Sequence, residues 1–213
     1  MGKLLLGLLF VAPLAFPSGP FAIGVKGGLP LTDNFKTGSV ANPNLRFTFD
    51  TKRYTVGPTV ELRLPFGLGF EADALYRRLD YSATGNQVDV IVHEATTANS
   101  WDFPLLLKWR FLPGPIRPYA SVGPTFRYVS SVNQVKNFFV VPTQVSSEQS
   151  TSNPPELANR FSTGLTIAGG LQLGSHIAPE IRYIRWGWTN FSSPSTAFKN
   201  NQNEVLFLLG LTF

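Results

Sequence analysis

The two histidines are the residues that most directly suggest catalysis, because a histidine base beside a nucleophile and a carboxylate is the usual arrangement for acyl transfer. His93 is followed by Glu94 in a polar stretch, and His176 follows Gly174 and Ser175 in a short connection. Neither histidine has a nucleophile and a carboxylate at a spacing that identifies such a site. We therefore predict no catalytic residue and no enzyme activity, and we keep a reaction that depends on His93 as the alternative.

The composition gives little support to metal, redox or nucleic-acid chemistry. The 213 residues include no cysteine, so neither a disulfide nor a zinc-thiolate site can form. The net charge is +5, but the 18 lysines and arginines are scattered and form no basic run. We predict no metal site, no cofactor and no nucleic-acid partner.

Most of the remaining charged residues alternate with apolar ones. The clearest segment places Trp101, Phe103, Leu105, Leu107, Trp109 and Phe111 on one parity and Asp102, Pro104, Leu106, Lys108 and Arg110 on the other. Side chains of a β-strand point alternately to opposite faces, so this pattern predicts a strand with one apolar face. Eight such segments follow one another, starting near Phe21, Tyr54, Leu68, Trp101, Pro118, Phe161, Ile177 and Glu204.

Connections between the segments alternate in length. Residues 65–67, 112–116 and 174–176 form three short turns, whereas residues 32–53, 82–100, 129–159 and 187–203 form four long polar connections. Outer-membrane barrels have short turns on one side and long loops on the other. This sorting favours a membrane barrel over the alternative, a soluble β-sandwich whose last strand is buried.

The N-terminus predicts a signal peptide. Lys3 precedes an apolar run from Leu4 to Ala12 that is too short to span a bilayer. We assign residues 1–19 to the signal peptide, with the cleavage position left open, and residues 20–213 to the barrel. An N-terminal core helix is the alternative.

The last ten residues, from Glu204 to Phe213, carry the resemblance to a known family. Val205, Phe207, Leu209, Leu211 and Phe213 share one apolar face. Together with the signal peptide and the sorted loops, this ending resembles the small outer-membrane barrels of the OmpA and OmpX type.

The resemblance implies an all-β fold: an eight-stranded antiparallel up-and-down transmembrane β-barrel with four long extracellular loops and three short periplasmic turns. It also implies a place in the outer membrane of a Gram-negative cell, a monomeric state, and Phe213 as the signal read by the barrel assembly machinery. Some barrels of this size modify lipid A, and a lipid A-modifying enzyme is therefore the less favoured alternative. The partner of the extracellular loops stays open.

An eight-stranded barrel is just wide enough for its own side chains to fill it. Charged residues with inward parity at similar heights should then neutralise one another, since buried charges need partners. We predict an interior ion network of Glu61, Arg63, Glu71, Asp73, Lys108, Arg110, Glu180 and Arg182. The network would plug the barrel, and a narrow porin-like pore is the alternative.

Lys52, Arg78 and Arg185 have outward parity and lie just beyond Tyr54, Tyr76 and Tyr183 at the long-loop ends of their strands. Arginine binds phosphate through paired, charge-assisted hydrogen bonds. We predict that these three residues form a rim that faces lipopolysaccharide, and simple snorkelling without a defined lipid contact is the alternative.

Prolines within the predicted strands conflict with a continuous hydrogen-bonded ladder. Pro58, Pro104, Pro124 and Pro179 have no N–H to donate, so we predict local distortions beside them. The tetrapeptide Val-Gly-Pro-Thr occurs at 56–59 and again at 122–125, which suggests one repeated strand device.

Overall fold

The computed structural model of the protein describes residues 20–32, 35–37, 50–87, 90–140, 145–152, 159–188, 190, 198–200 and 202–213. The predicted signal peptide, residues 1–19, lies outside the described residues. No helix in the described part of the chain has both the length and the apolar character needed to cross a membrane.

Strands dominate the described residues. They are β1 (Phe21–Pro30), β2 (Phe35–Thr37), β3 (Asp50–Arg63), β4 (Leu68–Asp73), β5 (Leu75–Gln87), β6 (Val90–Arg110), β7 (Ile116–Val140), β8 (Val145–Thr151), β9 (Phe161–Leu173), β10 (Ile177–Trp186), β11 (Phe198–Asn200) and β12 (Asn203–Thr212). A 3-10 turn, Pro65–Gly67, joins β3 to β4.

All of the strand pairs are antiparallel, and the order is up-and-down. β1 pairs with β3, β3 with both β4 and β5, and these two with β6. The pairing continues from β6 to β7, β9, β10 and β12, and β12 pairs with β1. β8 adds to the far part of β7, while β2 and β11 pair with each other. The predicted all-β, antiparallel up-and-down fold is confirmed.

The exposed face of the sheet is apolar and the buried face is polar, which is the reverse of a water-soluble protein. Phe21, Phe70 and Ile181 are more than half exposed, at 63%, 54% and 57%. Lys108 and Arg182, by contrast, are 2% and 0% exposed. Strands that alternate apolar-out and polar-in are typical of transmembrane barrels.

The break between β4 and β5 lies opposite Pro58. Ala74 donates its N–H to the Pro58 oxygen at 3.0 Å, but Pro58 has no N–H to return. The third predicted segment, which ran from Leu68 to Tyr76, is therefore divided in two. Gly57 permits the close approach of the strands here, since a Cβ on Gly57 would lie 2.0 Å from the Ala74 oxygen.

The second Val-Gly-Pro-Thr repeats this arrangement between β6 and β7. The ladder has no pairs between Pro104/Thr125 and Leu107/Val122, beside Pro124. A Cβ on Gly123 would lie 1.9 Å from the Leu105 oxygen. A similar gap beside Pro179 separates the Ile177 and Glu180 pairs with β9. The tetrapeptide thus has the same structural effect at both positions. Its glycine allows close strand approach, and its proline interrupts the ladder.

The expected long loops at 82–100 and 129–159 need correction, because much of both segments is strand. β5, β6 and β7 continue past the aromatic ends of the predicted segments, and β8 pairs along the outer part of β7. A register shift beside Asn99 and Ser100 leaves Ser130 as an extra residue in β7. This bulge moves the buried parity from Val129 to Val132, which disguised the continuing alternation.

The other two predicted loops, at 32–53 and 187–203, also contain strand residues. β2 lies in the first of them and β11 in the second, and β3 begins at Asp50. The prediction that all four segments are loops is therefore wrong for the residues that form strands. Ser, Thr and Asn content was interpreted as a loop signal, although threonine is a good strand former when a neighbouring strand pairs with it.

Candidate functional site

Charged side chains on the buried face form two separate groups. The short-turn cluster consists of Lys26, Glu61, Glu71, Asp73, Lys108, Arg110, Glu180 and Arg182. The long-loop cluster consists of Arg77, Asp102, Arg127 and Glu204. Four cations meet four carboxylates in the first cluster and two meet two in the second, so each group is balanced.

Arg182 lies at the centre of the short-turn cluster. Its guanidinium Nη2 is 2.6 Å from Glu180, 2.9 Å from Asp73 and 3.4 Å from Glu71. Thr59 donates a further hydrogen bond of 2.6 Å to Asp73. One planar group with five donors is thereby shared among three carboxylates from two elements.

Two lysines connect the remaining carboxylates of this cluster. Lys26 pairs with Glu71 and lies 3.3 Å from Glu180. Lys108 is 2.8 Å from Glu71 and 3.3 Å from Glu61, and its ammonium sits 4.0 Å from the centre of the Tyr119 ring. Every cation thus has at least one carboxylate, which is the condition under which buried charge is tolerated.

Seven of the eight predicted network residues belong to the short-turn cluster, together with Lys26, which the prediction left out. Arg63 lies at its edge: its Nε is 3.7 Å from Glu61 and its side chain is 36% exposed. The inward parity of Lys26 was visible in the sequence, but nothing there showed that its ammonium reaches Glu71 two strands away.

The long-loop cluster was not predicted as a group. Arg127 makes two hydrogen bonds of 2.7 Å to Asp102 and one of 3.1 Å to Glu204. Arg77 pairs with Glu204 as well. The Trp186 ring lies under the Arg127 guanidinium at 4.0 Å, and its Nε1 donates to Glu204 at 3.2 Å. Inward parity was the available signal for all of them.

Apolar side chains of β5, β10 and β12 lie between the two clusters, at the level of the buried, hydrogen-bonded pair Thr125 and Thr166. Leu75, Ile184, Leu206 and Leu208 are all at most 1% exposed and belong to one buried cluster with Trp186. Along β5, Leu75 follows Asp73 and precedes Arg77 on the buried face, and along β10 Ile184 follows Arg182. An ion that moved between the clusters would have to pass between these buried side chains.

Aromatic side chains on the exposed face form a row across four neighbouring strands. Tyr76 is opposite Trp101, Trp101 opposite Tyr128, and Tyr128 opposite Phe161 in the ladders. Trp109 and Phe111, with ring centroids 4.9 Å apart, lie at the short-turn end of the same face. Two aromatic girdles with an apolar band between them mark the two interfaces of a bilayer.

A profile of the family described as "outer membrane protein beta-barrel domain" matches residues 14–192, which is well over half of the chain. The chain belongs to this family. It is therefore a protein of the Gram-negative outer membrane, and the resemblance drawn from the sequence is confirmed. No curated protein sequence matches the chain.

Several solved structures are similar to this outer-membrane barrel protein at low identity. The N-terminal β-barrel domain of Pseudomonas aeruginosa OprF is 12% identical, with 92% of this chain and 98% of that chain covered and a TM-score of 0.32. For P. aeruginosa OprG the identity is 12%, the coverage 92% and 96%, and the TM-score 0.34. The NanC porin is 10% identical, with 90% of this chain and 98% of that chain covered and a TM-score of 0.26.

The three predicted rim residues of this family member lie on three strands, β3, β5 and β10. Lys52 is paired with Asp80 in the β3–β5 ladder, and its side chain lies outside the described residues. The Arg78 guanidinium is 2.9 Å from Asp80, whose hydrogen bond raises the pKa of Arg78. Arg185 is exposed on β10, opposite Leu165 of β9 and Asn203 of β12.

The two histidines lie in different parts of the structure. His93 is exposed on β6, and Glu94, as its neighbour in a strand, points to the other face, where it lies 3.4 Å from Lys136. The His176 Nδ1 lies 3.0 Å from the Ser175 hydroxyl in the turn before β10. The described residues contain no group of three or more His, Asp or Glu residues that could hold a metal ion.

Phe213 continues the exposed apolar face of β12. Its N–H donates to the Ile23 oxygen at 2.8 Å, and its ring is 42% exposed. Its role as an assembly signal stays a prediction.

Proposed function

We propose that this chain is a non-enzymatic structural barrel of the outer membrane whose interior is plugged by its own ion pairs. The observation that carries the proposal is the layered interior. Two charge-balanced clusters with close-packed, mainly apolar side chains between them fill the interior, which supports a plug. A dehydrated ion would also have to displace partners that are already matched in charge.

We also propose that the barrel is closed and has eight strands, with β4 and β5 acting as one strand interrupted opposite Pro58. The pairings support this count: they run from β1 through β3, β4 with β5, β6, β7, β9, β10 and β12, and β12 pairs with β1. Eight strands leave an interior that side chains alone can fill.

The surface role that we propose belongs to the sheet that β5, β6, β7 and β8 form beyond the aromatic row. Its far end includes the apolar residue Phe139, which is opposite Ile91 in the ladder. Phe139 is 39% exposed there. Exposed apolar patches on polar sheets are often contact surfaces. We infer that the extracellular partner, whose identity stays open, contacts this sheet.

Lipid is the partner of the exposed apolar face. A groove of about 550 Å³ on this face is lined mainly by apolar side chains such as Val60, Phe70 and Leu105, which suits lipid acyl chains. We propose that Arg185, with Lys52 and Arg78, contacts lipopolysaccharide phosphate at the rim. We further propose a monomer that the barrel assembly machinery inserts.

Planar-bilayer recording tests the plug. The wild-type barrel should give no reproducible unitary conductance. Truncating a member of the short-turn cluster, as in Glu71→Ala or Arg110→Ala, tests the same point in a folded variant. Unitary conductance in the wild type that grows in either variant would show that the protein is a narrow pore. Lipid A deacylation or palmitoylation that is lost in His93→Ala would establish an enzyme instead.

A further inference from the structure

The short-turn end of the barrel carries more guanidinium groups than carboxylates. Arg63 ends β3, Arg110 ends β6 and Arg117 lies at the start of β7, so all three are next to short turns. Gln172 of β9 is directly opposite Arg117 in the ladder. We call Arg63, Arg110, Arg117 and Gln172 the arginine mouth.

Glu61 is the carboxylate that brings two of these arginines together. The Arg110 Nη2 pairs with Glu61 Oε1, and the Arg63 Nε lies 3.7 Å from the same oxygen. Gly69 lies between them and leaves room: a Cβ there would be 3.4 Å from Glu61 Oε1 and 3.6 Å from Arg110 Nη1. The two guanidiniums therefore converge from strands on either side of β4.

Charge is not balanced at this end. The short-turn cluster is neutral when Arg110 is counted against Glu61, and Lys108 also lies 3.3 Å from that same carboxylate. Arg63 beside Glu61, and Arg117 beside the Gly174 oxygen, then add two further positive charges at this end among the described residues. Positive charges at the edge of a low-dielectric interior attract anions more strongly than charges in open water.

Two buried donors at the mouth have no acceptor. The Arg117 Nε and the Gln172 Nε2 are buried and make no hydrogen bond, and Gln172 is only 3% exposed. Arg117 uses Nη2 for a long contact of 3.4 Å to the Gly174 oxygen. An unsatisfied buried donor destabilises the folded protein, because it has lost its hydrogen bonds to water. Both atoms are donors, so the group that would satisfy them is an acceptor.

From the excess charge and the two unsatisfied donors, we propose that the arginine mouth binds a soluble oxyanion of the phosphate or carboxylate class from the periplasm. The planar arginine fork matches such anions with two parallel hydrogen bonds. The residues lie on the buried face, whereas lipids contact the exposed apolar face, and this favours a soluble ligand over a lipid headgroup. The site does not depend on whether the barrel conducts.

Calorimetric titration with inorganic phosphate tests the site. The full barrel is placed in nanodiscs of zwitterionic lipid at low, constant ionic strength, where we expect saturable binding to one site. The double variant Arg63→Gln/Arg117→Gln should bind phosphate at least tenfold more weakly. Gln172→Glu should also weaken binding, because it adds a negative charge and keeps the size. Far-UV circular dichroism of each variant shows that it has folded.

The matched control is Lys136→Gln/Arg160→Gln, which removes two positive charges at the long-loop end. It should bind phosphate as the wild type does. The proposal is overturned if the folded wild type shows no saturable binding, or if both double variants lose affinity equally. The titration is repeated in nanodiscs that contain phosphatidylglycerol. If this lipid competes with phosphate, and the competition requires Arg63 and Arg117, the site binds a lipid headgroup. That result would overturn the proposal of a soluble ligand.

Discussion

Arg182 is the side chain on which the short-turn cluster depends most, because one guanidinium neutralises Glu71, Asp73 and Glu180. Arg182→Gln should destabilise the barrel by about 3–5 kcal/mol, since it removes a cation that three buried carboxylates share. Arg185→Gln is the control, because Arg185 is exposed on the same strand, and its effect in phospholipid bilayers should be within about 0.5 kcal/mol. Equilibrium unfolding in denaturant measures both, and equal losses would contradict the cluster.

The hydroxyl of Tyr119 allows a second test of the short-turn cluster. It donates 2.9 Å to Glu180, while the ring lies beneath Lys108 and against Gly170. Tyr119→Phe keeps the ring and removes only the hydrogen bond, so the loss should be about 1.5–3 kcal/mol. Tyr183→Phe removes an exposed hydrogen bond of 2.9 Å to Asn203 and should change stability far less in the same unfolding experiment. A Tyr119→Phe variant as stable as Tyr183→Phe would show that the Glu180 contact contributes nothing.

Residue identity and parity were enough to predict which charges face inward, but not which charges meet. Alternation alone placed Glu71, Lys108 and Arg182 on the buried face. Their contacts depend on the stagger of strands that are far apart in the chain, as in the pairing of Arg77 with Glu204. A sequence contains no direct record of that stagger, which explains why Lys26 and the long-loop cluster were left out of the predicted network.

The Gly-Pro pair of each Val-Gly-Pro-Thr segment affects how closely two neighbouring strands approach each other. Gly123→Ala would place a Cβ 1.9 Å from the Leu105 oxygen, so β6 and β7 would have to separate beside Pro124. The expected cost is about 1–3 kcal/mol, as for other overpacked sites. Gly169→Ala is the control, because the nearest atom to its added Cβ is 3.9 Å away, and it should cause no loss in denaturant unfolding. If both substitutions are neutral, close strand approach is not the reason for glycine at 123.

The strands themselves were predictable because lipid and a polar interior impose a strict period of two on the sequence. The sheet beyond the aromatic row was missed, because nearly half of its residues are Ser, Thr, Asn or Gln and this content was interpreted as a loop signal. The extra residue Ser130 also shifts the parity of β7 partway along. A polar strand is defined by its partner, and a single segment read alone does not reveal that partner.

Across the whole molecule, charge is arranged in layers that match the surroundings. The short-turn end has the excess arginines, the interior is neutral, and the exposed apolar band ends in the row of Tyr76, Trp101, Tyr128 and Phe161. In the orientation that we propose, cations just beyond that row stand at the level of the outer-leaflet headgroups. An outward arginine costs about 0–1 kcal/mol near the interface, compared with about 2–4 kcal/mol at the midplane.

Because these energies are small, substitutions of the rim arginines can test whether the protein contacts lipopolysaccharide phosphate. Arg78 is already paired with Asp80 at 2.9 Å, whereas Arg185 is exposed beyond Tyr183, so Arg185 should carry most of the phosphate contact. Arg185→Gln should lower the stability more in bilayers that contain lipopolysaccharide than in phospholipid bilayers. Arg78→Gln should show a smaller difference, because Asp80 competes with the lipid phosphate for the guanidinium. Equal losses for Arg185→Gln in both bilayers would reduce the rim to snorkelling side chains, since a nonspecific interfacial charge has no preference for a lipid with clustered phosphates.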